Sequence, residues 1–157
     1  MEEGGDGFKF RHPVEVRFKD VDVGGHAHHS HALVYFEEAR WAYWMAVVAP
    51  AAGGAEAPAT VAAAADVHYI LAEATVRWHK RVFWPMRLDV GVRVARLGKK
   101  HFEMEYEARS PEGERLISGR SVQVWYDYQA KQTARIPGVV RAAIEAVDGP
   151  LGHRRQY

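Results

Sequence analysis

The seven residues 20–26, Asp-Val-Asp-Val-Gly-Gly-His, mark an abrupt change in the hydrophobic pattern of the chain. Before them, residues 14–18 alternate apolar and charged side chains, which is typical of a strand with one buried face. From about Ser30 onward, apolar side chains recur at spacings of three and four, which predicts a helix that ends near Val48, just before Pro50. The sequence therefore predicts a tight turn between a strand and a helix of about five turns.

This turn combines glycines, carboxylates and the start of a helix. Gly24 and Gly25 can adopt a positive φ and allow a ligand to approach the backbone closely. The helix N-terminus directs free N–H groups and the positive end of its dipole toward the same place. Such donors can hold an oxyanion while a carboxylate activates water or attacks directly, which suits acyl hydrolysis. The alternative is that Asp20 and Asp22 only form the turn and cap the helix.

The rest of the chain is dominated by strand patterns. Consecutive strands joined by short turns must be antiparallel, and one such sheet can bury a single long helix. We therefore predict one α+β domain with no internal repeat. The predicted segments are a small-residue linker (51–65), strands near 67–80, 87–94, 102–107 and 116–128, turns at 98–100 and 111–114, and a last helix at about 138–147.

Composition narrows the class of protein further. The 157 residues carry a net charge of +1, which argues against a general nucleic-acid-binding protein. No apolar run is long enough to cross a bilayer, so no membrane partner is expected. The absence of cysteine excludes disulfides, thiolate zinc sites and a cysteine nucleophile. The acidic, glycine-rich start does not have the pattern of a signal peptide, and we expect a cytoplasmic protein.

Two blocks of sequence carry a resemblance to a known family. Residues 16–26 are similar to a family pattern in which a strand is followed by a D-x-D-x-x-G-H turn. Residues 35–40 are similar to a helix of the same family with the pattern Y-F-E-x-A-R. Later segments are similar in order and spacing, so the likeness covers about residues 14–146. The chain thus resembles the hot-dog fold acyl-CoA thioesterases, in the branch related to 4-hydroxybenzoyl-CoA thioesterase. The later segments are 72–81, 84–85, 92–98, 104–107 and 136–137.

The resemblance implies a hot-dog fold, in which a five-stranded antiparallel sheet wraps around one long central helix. From this resemblance together with the sequence pattern, we predict a single domain at 14–148, with a flexible N-terminal arm at 1–13 and a C-terminal tail at 149–157. The resemblance also implies a homodimer or homotetramer. The activity it implies is hydrolysis of acyl-CoA to a carboxylic acid and coenzyme A, with no cofactor, since coenzyme A is part of the substrate.

The resemblance also implies the roles of the turn residues. Asp22 corresponds to the catalytic carboxylate, acting as general base or nucleophile. The oxyanion donors would be backbone N–H groups near His28 and His29, and Gly25 would let the thioester approach. His26 would position Asp22 or pack within the turn. Asp20, in contrast, is expected to have a structural role, hydrogen-bonding to N–H groups of the turn.

Further residues are predicted to contact the substrate. Glu37 could orient water, although an ion pair is the alternative. Arg96, Lys99 and Lys100 could bind the phosphates of coenzyme A, because phosphate is recognised by Lys and Arg. Ala32 stands where relatives commonly carry Tyr, which predicts extra space beside the acyl group.

Three other functions compete with hydrolysis. The histidines at 26, 28, 29 and 31 could bind zinc or nickel, but no carboxylate other than Asp22 has a familiar metal spacing, so no metal is predicted. A hot-dog hydratase would pair an Asp with a His on a differently spaced loop, which this chain lacks. A non-catalytic protein that binds acyl-CoA or acyl carriers is the main alternative.

Overall fold

The computed structural model describes residues 7–51 and 69–151. Residues 52–65 of the predicted linker and the outer parts of the predicted arm and tail lie outside these ranges. The described elements are β1 (Phe10–Val16), a 3₁₀ turn (Phe18–Asp20), α1 (His31–Tyr43), a π-helical turn (Trp44–Val48), β2 (Tyr69–Trp78), β3 (Met86–Leu97), β4 (His101–Arg109), β5 (Arg115–Asp127), β6 (Gln132–Thr133) and α2 (Gly138–Asp148).

The sheet is antiparallel throughout, which confirms the predicted α+β class. Its strand order is β1-β3-β4-β5-β2, and the short β6 pairs only with β5. The strands β3, β4 and β5 are sequential neighbours because short turns join them. β2 instead crosses to the far side of the sheet and pairs with β5. Its other edge has no partner strand among the described residues.

The first strand starts earlier than the sequence predicts. β1 begins at Phe10, inside the segment 1–13 that was predicted to be a flexible arm. Pro13 pairs with Asp89 of β3. Proline has no N–H to donate, but β1 is an edge strand, where a missing donor is tolerated.

Helix α1 packs its apolar face on the sheet and forms the centre of the core. Its 13 residues continue into five residues of π-helical turn, so the predicted single long helix is a shorter α-helix with an irregular last turn. Burial of these apolar side chains supplies most of the free energy of folding. The largest fully buried side chains include Tyr35, Tyr43, Leu88, Leu97, Phe102, Met104, Ile117 and Ile144.

A single carboxylate ties the C-terminal helix α2 to the rest of the domain. Asp148 Oδ2 accepts a hydrogen bond from the Tyr43 hydroxyl at 2.6 Å and another from the Val94 N–H at 2.9 Å. Val140 and Ile144 of α2 are buried in the same core. Neither helix of the described chain has the length and apolar content that crossing a bilayer requires.

Candidate active site

The turn between β1 and α1 is held by backbone hydrogen bonds. Val21 and Ala27 form an isolated antiparallel bridge, and the Asp22 N–H donates to the His26 carbonyl at 3.1 Å. The Ala27 N–H donates to the carbonyl of Val82 at 2.7 Å. These bonds fix a compact loop at the N-terminal end of α1, where the sequence predicts the reactive groups.

Asp20 supports this loop from inside the protein. Its side chain is 2 % exposed, and its Oδ2 accepts hydrogen bonds from the Arg17 N–H at 3.0 Å and the Tyr35 hydroxyl at 2.9 Å. Its Oδ1 lies 3.4 Å from His31 Nδ1. Burial alone would raise the pKa of Asp20, but these hydrogen-bond donors and the neighbouring His31 and Lys19 side chains together lower it below its ordinary value. The structure thus gives Asp20 the structural role that the sequence predicts.

Replacement of Asp20 by Asn should make stability less sensitive to acid. The pKa of Asp20 is lower in the folded state than in the unfolded state, where it is near 4. Its carboxylate therefore stabilises the fold at pH values above the unfolded-state pKa. This stabilisation is lost as the pH falls through the folded-state pKa. We expect Asp20→Asn to lower the free energy of unfolding by about 1–3 kcal/mol at pH 7 and to flatten its decline on acidification. Urea unfolding between pH 7 and pH 3 measures both effects. The exposed Glu112→Gln is the control, and equal pH profiles for wild type and Asp20→Asn would contradict the assignment.

The carboxylate of Asp22 is half-buried and is held through one oxygen. Its Oδ1 accepts a hydrogen bond from the Gly24 N–H at 2.7 Å. A Cβ placed on Gly24 would lie 3.0 Å from that oxygen and 3.2 Å from His26 Nε2, so the Asp22 and His26 side chains flank the same glycine. Gly25 adopts a φ of 80°, a conformation that favours glycine. No contact in the described chain uses the second oxygen of Asp22, which is therefore available for chemistry.

The backbone N–H groups just before α1 differ in whether they are free to donate a hydrogen bond to a ligand. The His28 N–H donates to the Asp20 carbonyl at 2.8 Å, so it is already used within the loop. The His29 N–H forms no hydrogen bond within residues 7–51 and 69–151. No side chain caps the helix at Ser30. Of the two positions predicted from the sequence, His29 thus offers the free backbone donor.

The histidines of the loop make local contacts. His28 Nδ1 lies 2.9 Å from the Ser30 hydroxyl, and the rings of His28 and His29 are 4.0 Å apart. His31 turns inward toward Asp20. In the part of the chain that the structure describes, no three His, Asp or Glu side chains are grouped so that they could hold a metal ion.

The predicted phosphate-binding residues lie far from this loop within one chain. β1 ends beside the first residue of β3, where Val16 pairs with Met86. Arg96, Lys99 and Lys100 lie at the other end of β3, which has 12 residues and is thus roughly 35 Å long at about 3.3 Å per residue. Arg96 lies 3.8 Å from Glu103, and Lys100 donates to Thr133 at 3.3 Å. One chain does not bring these residues together with Asp22.

The remaining predicted residues lie on α1. Glu37 is exposed and forms no ion pair with any described residue, whereas the next residue, Glu38, pairs with Arg17 at 2.8 Å. Ala32 is fully buried in the core. It does not line the cavity beside Glu37, so the structure gives no support for extra acyl space at this position.

Arg40 of α1 is only 8 % exposed, and the sequence predicts no role for it. Its Nη1 donates to the Tyr106 hydroxyl at 3.2 Å, and that hydroxyl lies 2.5 Å from the Ser121 hydroxyl. Gln123 donates to Ser121 at 2.5 Å. Arg40 belongs to the same helical period as Phe36 and Tyr43. A charged residue on an otherwise apolar helix face was the available signal of a buried charge.

Comparison with known proteins finds similar sequences and similar folds. A family model described as "Thioesterase-like superfamily" matches residues 16–144. A thioesterase from Thermus thermophilus, crystallised with coenzyme A and Zn, is 28% identical with a TM-score of 0.76, over 92% of this chain and 98% of that one. A DHNA-CoA thioesterase from Staphylococcus aureus is 19% identical with a TM-score of 0.66, over 80% of this chain and 79% of that one. No curated protein matches the sequence.

Proposed function

Because the chain belongs to the thioesterase-like superfamily, we propose that it is an acyl-CoA thioesterase that converts acyl-CoA and water to a carboxylic acid and coenzyme A. The observation that carries this proposal is the Asp22 carboxylate, which is fixed by Gly24 through one oxygen and belongs to the same loop as the free His29 N–H. The similar Thermus thermophilus thioesterase, which was crystallised with coenzyme A, supports coenzyme A esters as the substrate class.

In the proposed reaction, Asp22 acts as general base or as nucleophile. As a base, it takes a proton from water while the water oxygen forms a bond to the thioester carbonyl carbon. The C–S bond then breaks, and the leaving thiolate takes up the proton. As a nucleophile, the carboxylate itself attacks that carbon, and the C–S bond breaks to give an acyl-enzyme anhydride and the coenzyme A thiolate. Water then hydrolyses the anhydride to the carboxylic acid and the free Asp22 carboxylate, and the thiolate takes up the proton that is released. The His26 ring approaches the same Cβ position of Gly24 as the Asp22 carboxylate and would limit the movement of Asp22.

The His29 N–H is the proposed oxyanion donor. It lies at the N-terminal end of α1, so the helix dipole adds to the stabilisation of negative charge. Gly25 has no side chain, and apart from its chain neighbours no described residue has an atom within 4 Å of the Cβ position, which leaves the approach to the loop open. A backbone donor does not depend on the side chain of residue 29. The side chains at positions 28 and 29 can therefore vary while the reaction is retained. No metal or cofactor takes part in this proposal.

We also propose that the protein is a homodimer or homotetramer. The free edge of β2 and its exposed Ile70 and Leu71 (39% and 47% exposed) are suited to pairing with a second copy. In such an assembly, we propose that Arg96, Lys99 and Lys100 of one copy serve the Asp22 site of another. Light scattering should then give a particle mass of twice or four times the 17.7 kDa mass of one chain. A particle with the mass of one chain would contradict the proposal.

The test of the activity is thiol release from a panel of short, long and aromatic acyl-CoA esters. We expect release of free coenzyme A from at least one class of ester, with crotonyl-CoA hydration absent. If no ester releases thiol while coenzyme A esters still bind in calorimetry, the hydrolase proposal fails and a non-catalytic acyl-CoA-binding protein takes its place.

A further inference from the structure

A small cavity lies between α1 and the sheet, in the direction of the C-terminal end of α1 from Asp22. Its volume is about 160 Å³, and its lining includes Leu33, Phe36, Glu37 and Arg40 of α1. A cavity of about 150 Å³ with apolar walls holds a ligand as large as benzene, so this space can take part of an acyl group. Leu33 and Leu71, which are 45% and 47% exposed, also line it.

Arg40 gives this cavity an unusual buried charge. Its guanidinium faces tyrosine hydroxyls, with that of Tyr106 at hydrogen-bond distance, and its Nε has no hydrogen-bond partner among the described residues. No carboxylate among residues 7–51 and 69–151 forms an ion pair with Arg40. Burial lowers the pKa of Arg40, but the hydroxyls of Tyr106 and Tyr69 outweigh burial and raise it, so the side chain stays charged. A buried charge without a counterion is costly, and an anion that entered the cavity would relieve this cost.

The other charged groups of the cavity do not neutralise Arg40. Arg120 lines the cavity but is already paired with Glu103 at 3.1 Å and Glu73 at 3.0 Å. Glu37 is exposed on the helix surface and leaves Arg40 unpaired. The remaining polar groups are hydroxyls, which can donate to a carboxylate as well. Tyr106 and Ser121 are both buried and both line the cavity.

The position along α1 relates this charge to the reaction. Arg40 lies about 13 Å along the helix axis from His31, since each residue adds about 1.5 Å. Long helical side chains lean toward the N-terminus of their helix, which directs the guanidinium back toward the loop that holds Asp22. An acyl group whose carbonyl is at that loop can therefore extend along α1 and reach Arg40 with its far end.

We propose that Arg40 is a specificity-determining residue that binds a terminal carboxylate of the acyl group, so that the preferred substrates are coenzyme A half-esters of dicarboxylic acids. This proposal rests on the proposed thioesterase function, and it adds the chemical class of the acyl group. Leu33, Phe36 and Leu71 would contact the methylene groups of the chain. Tyr106 and Ser121 would complete the hydrogen bonds to the carboxylate.

The test compares suberoyl-CoA with octanoyl-CoA, whose acyl groups have equal length and differ by a terminal carboxylate. We expect wild-type kcat/KM to favour suberoyl-CoA by about tenfold or more, as hydrogen bonds to a charged group allow. Arg40→Gln should abolish this preference, and Arg40→Lys should retain part of it. Arg93→Gln is the matched control, because Arg93 pairs with Glu105 at 2.6 Å and does not line the cavity. This control should leave the preference unchanged.

The ratio of kcat/KM for suberoyl-CoA to kcat/KM for octanoyl-CoA distinguishes a change in specificity from a general loss of structure. A loss of structure would lower kcat/KM for both esters together. An equal kcat/KM for the two esters in wild type, or a preference that survives in Arg40→Gln, would overturn the proposal. Calorimetric titration of both esters tests the carboxylate site at Arg40 independently of the proposed hydrolase activity. Tighter, Arg40-dependent binding of suberoyl-CoA without any thiol release would refute hydrolysis and support the carboxylate site.

Discussion

Replacement of Asp22 by Asn is expected to reduce kcat for thioester hydrolysis by about a hundredfold or more. Asn retains an oxygen that can accept the hydrogen bond from Gly24, so the loop should keep its shape. It cannot take a proton from water or attack the carbonyl carbon as a carboxylate does. The measurement is thiol release from the best ester of the panel, with near-wild-type thermal stability as evidence of correct folding.

The matched control for this variant is Asp89→Asn. Asp89 is also a partly exposed aspartate, but it pairs with Arg11 at 2.6 Å on β3, away from the loop. Its replacement should leave kcat within about twofold of wild type, because no reacting group depends on it. If Asp22→Asn lost less than tenfold in kcat, Asp22 would not be the catalytic carboxylate, whatever the substrate.

The second large effect is on stability, at Gly119 of β5. A Cβ at this position would lie 2.7 Å from the Thr75 carbonyl oxygen and closer still to the ring of Phe36. That ring cannot move freely, because it is buried and stacks on Tyr106 at 4.6 Å. We expect Gly119→Ala to lower the free energy of unfolding by about 2–3 kcal/mol. The corresponding fall in Tm is roughly 5–10 °C for a chain of this size.

Gly138→Ala is the control for this second variant. Gly138 is the first residue of α2, and outside its own helical turn no atom of residues 7–51 or 69–151 lies within 4 Å of its Cβ position. Alanine in a helix is favoured over glycine, so this variant should keep or slightly raise Tm. Differential scanning calorimetry of both variants measures the difference. A Tm for Gly119→Ala equal to that of wild type would show that the sheet and α1 can separate locally without cost.

Local patterns in the sequence are sufficient to predict most elements of the fold. The alternation around Val90 and Val92 and the turn at 98–100 correctly predict the β3–β4 hairpin, because hairpin pairing depends on neighbouring residues. The start of β1 was predicted too late because Pro13 was interpreted as the boundary of a strand rather than as part of an edge strand. The position of β2 beside β5 depends on contacts between distant segments, and no local pattern encodes it.

In the candidate site too, features that depend on a short segment can be predicted from the sequence, whereas features that depend on contacts between distant segments cannot. The sequence correctly predicts the loop around Asp22 and the structural role of Asp20, because both depend on a short segment. It does not predict that the His28 N–H is used by the Asp20 carbonyl, which is a matter of backbone geometry. It also groups Lys99 and Lys100 with Asp22 by their chemistry alone, although the length of β3 separates them within one chain. For Arg40 the opposite holds, because the sequence pattern predicts no role and its burial in the structure indicates one.

The way Asp20 holds the loop has a consequence for how this protein can diversify. The bonds that shape the loop come from its backbone and from the buried carboxylate, whereas the side chains of Val23 and His29 are exposed. Mutations at these two positions can accumulate without displacing the N–H of residue 29 or the backbone of Asp22. Libraries randomised at Val23 and His29 should therefore contain mostly folded members with altered substrate ranges. The loop thus combines a backbone of fixed shape with an exposed surface whose side chains can vary.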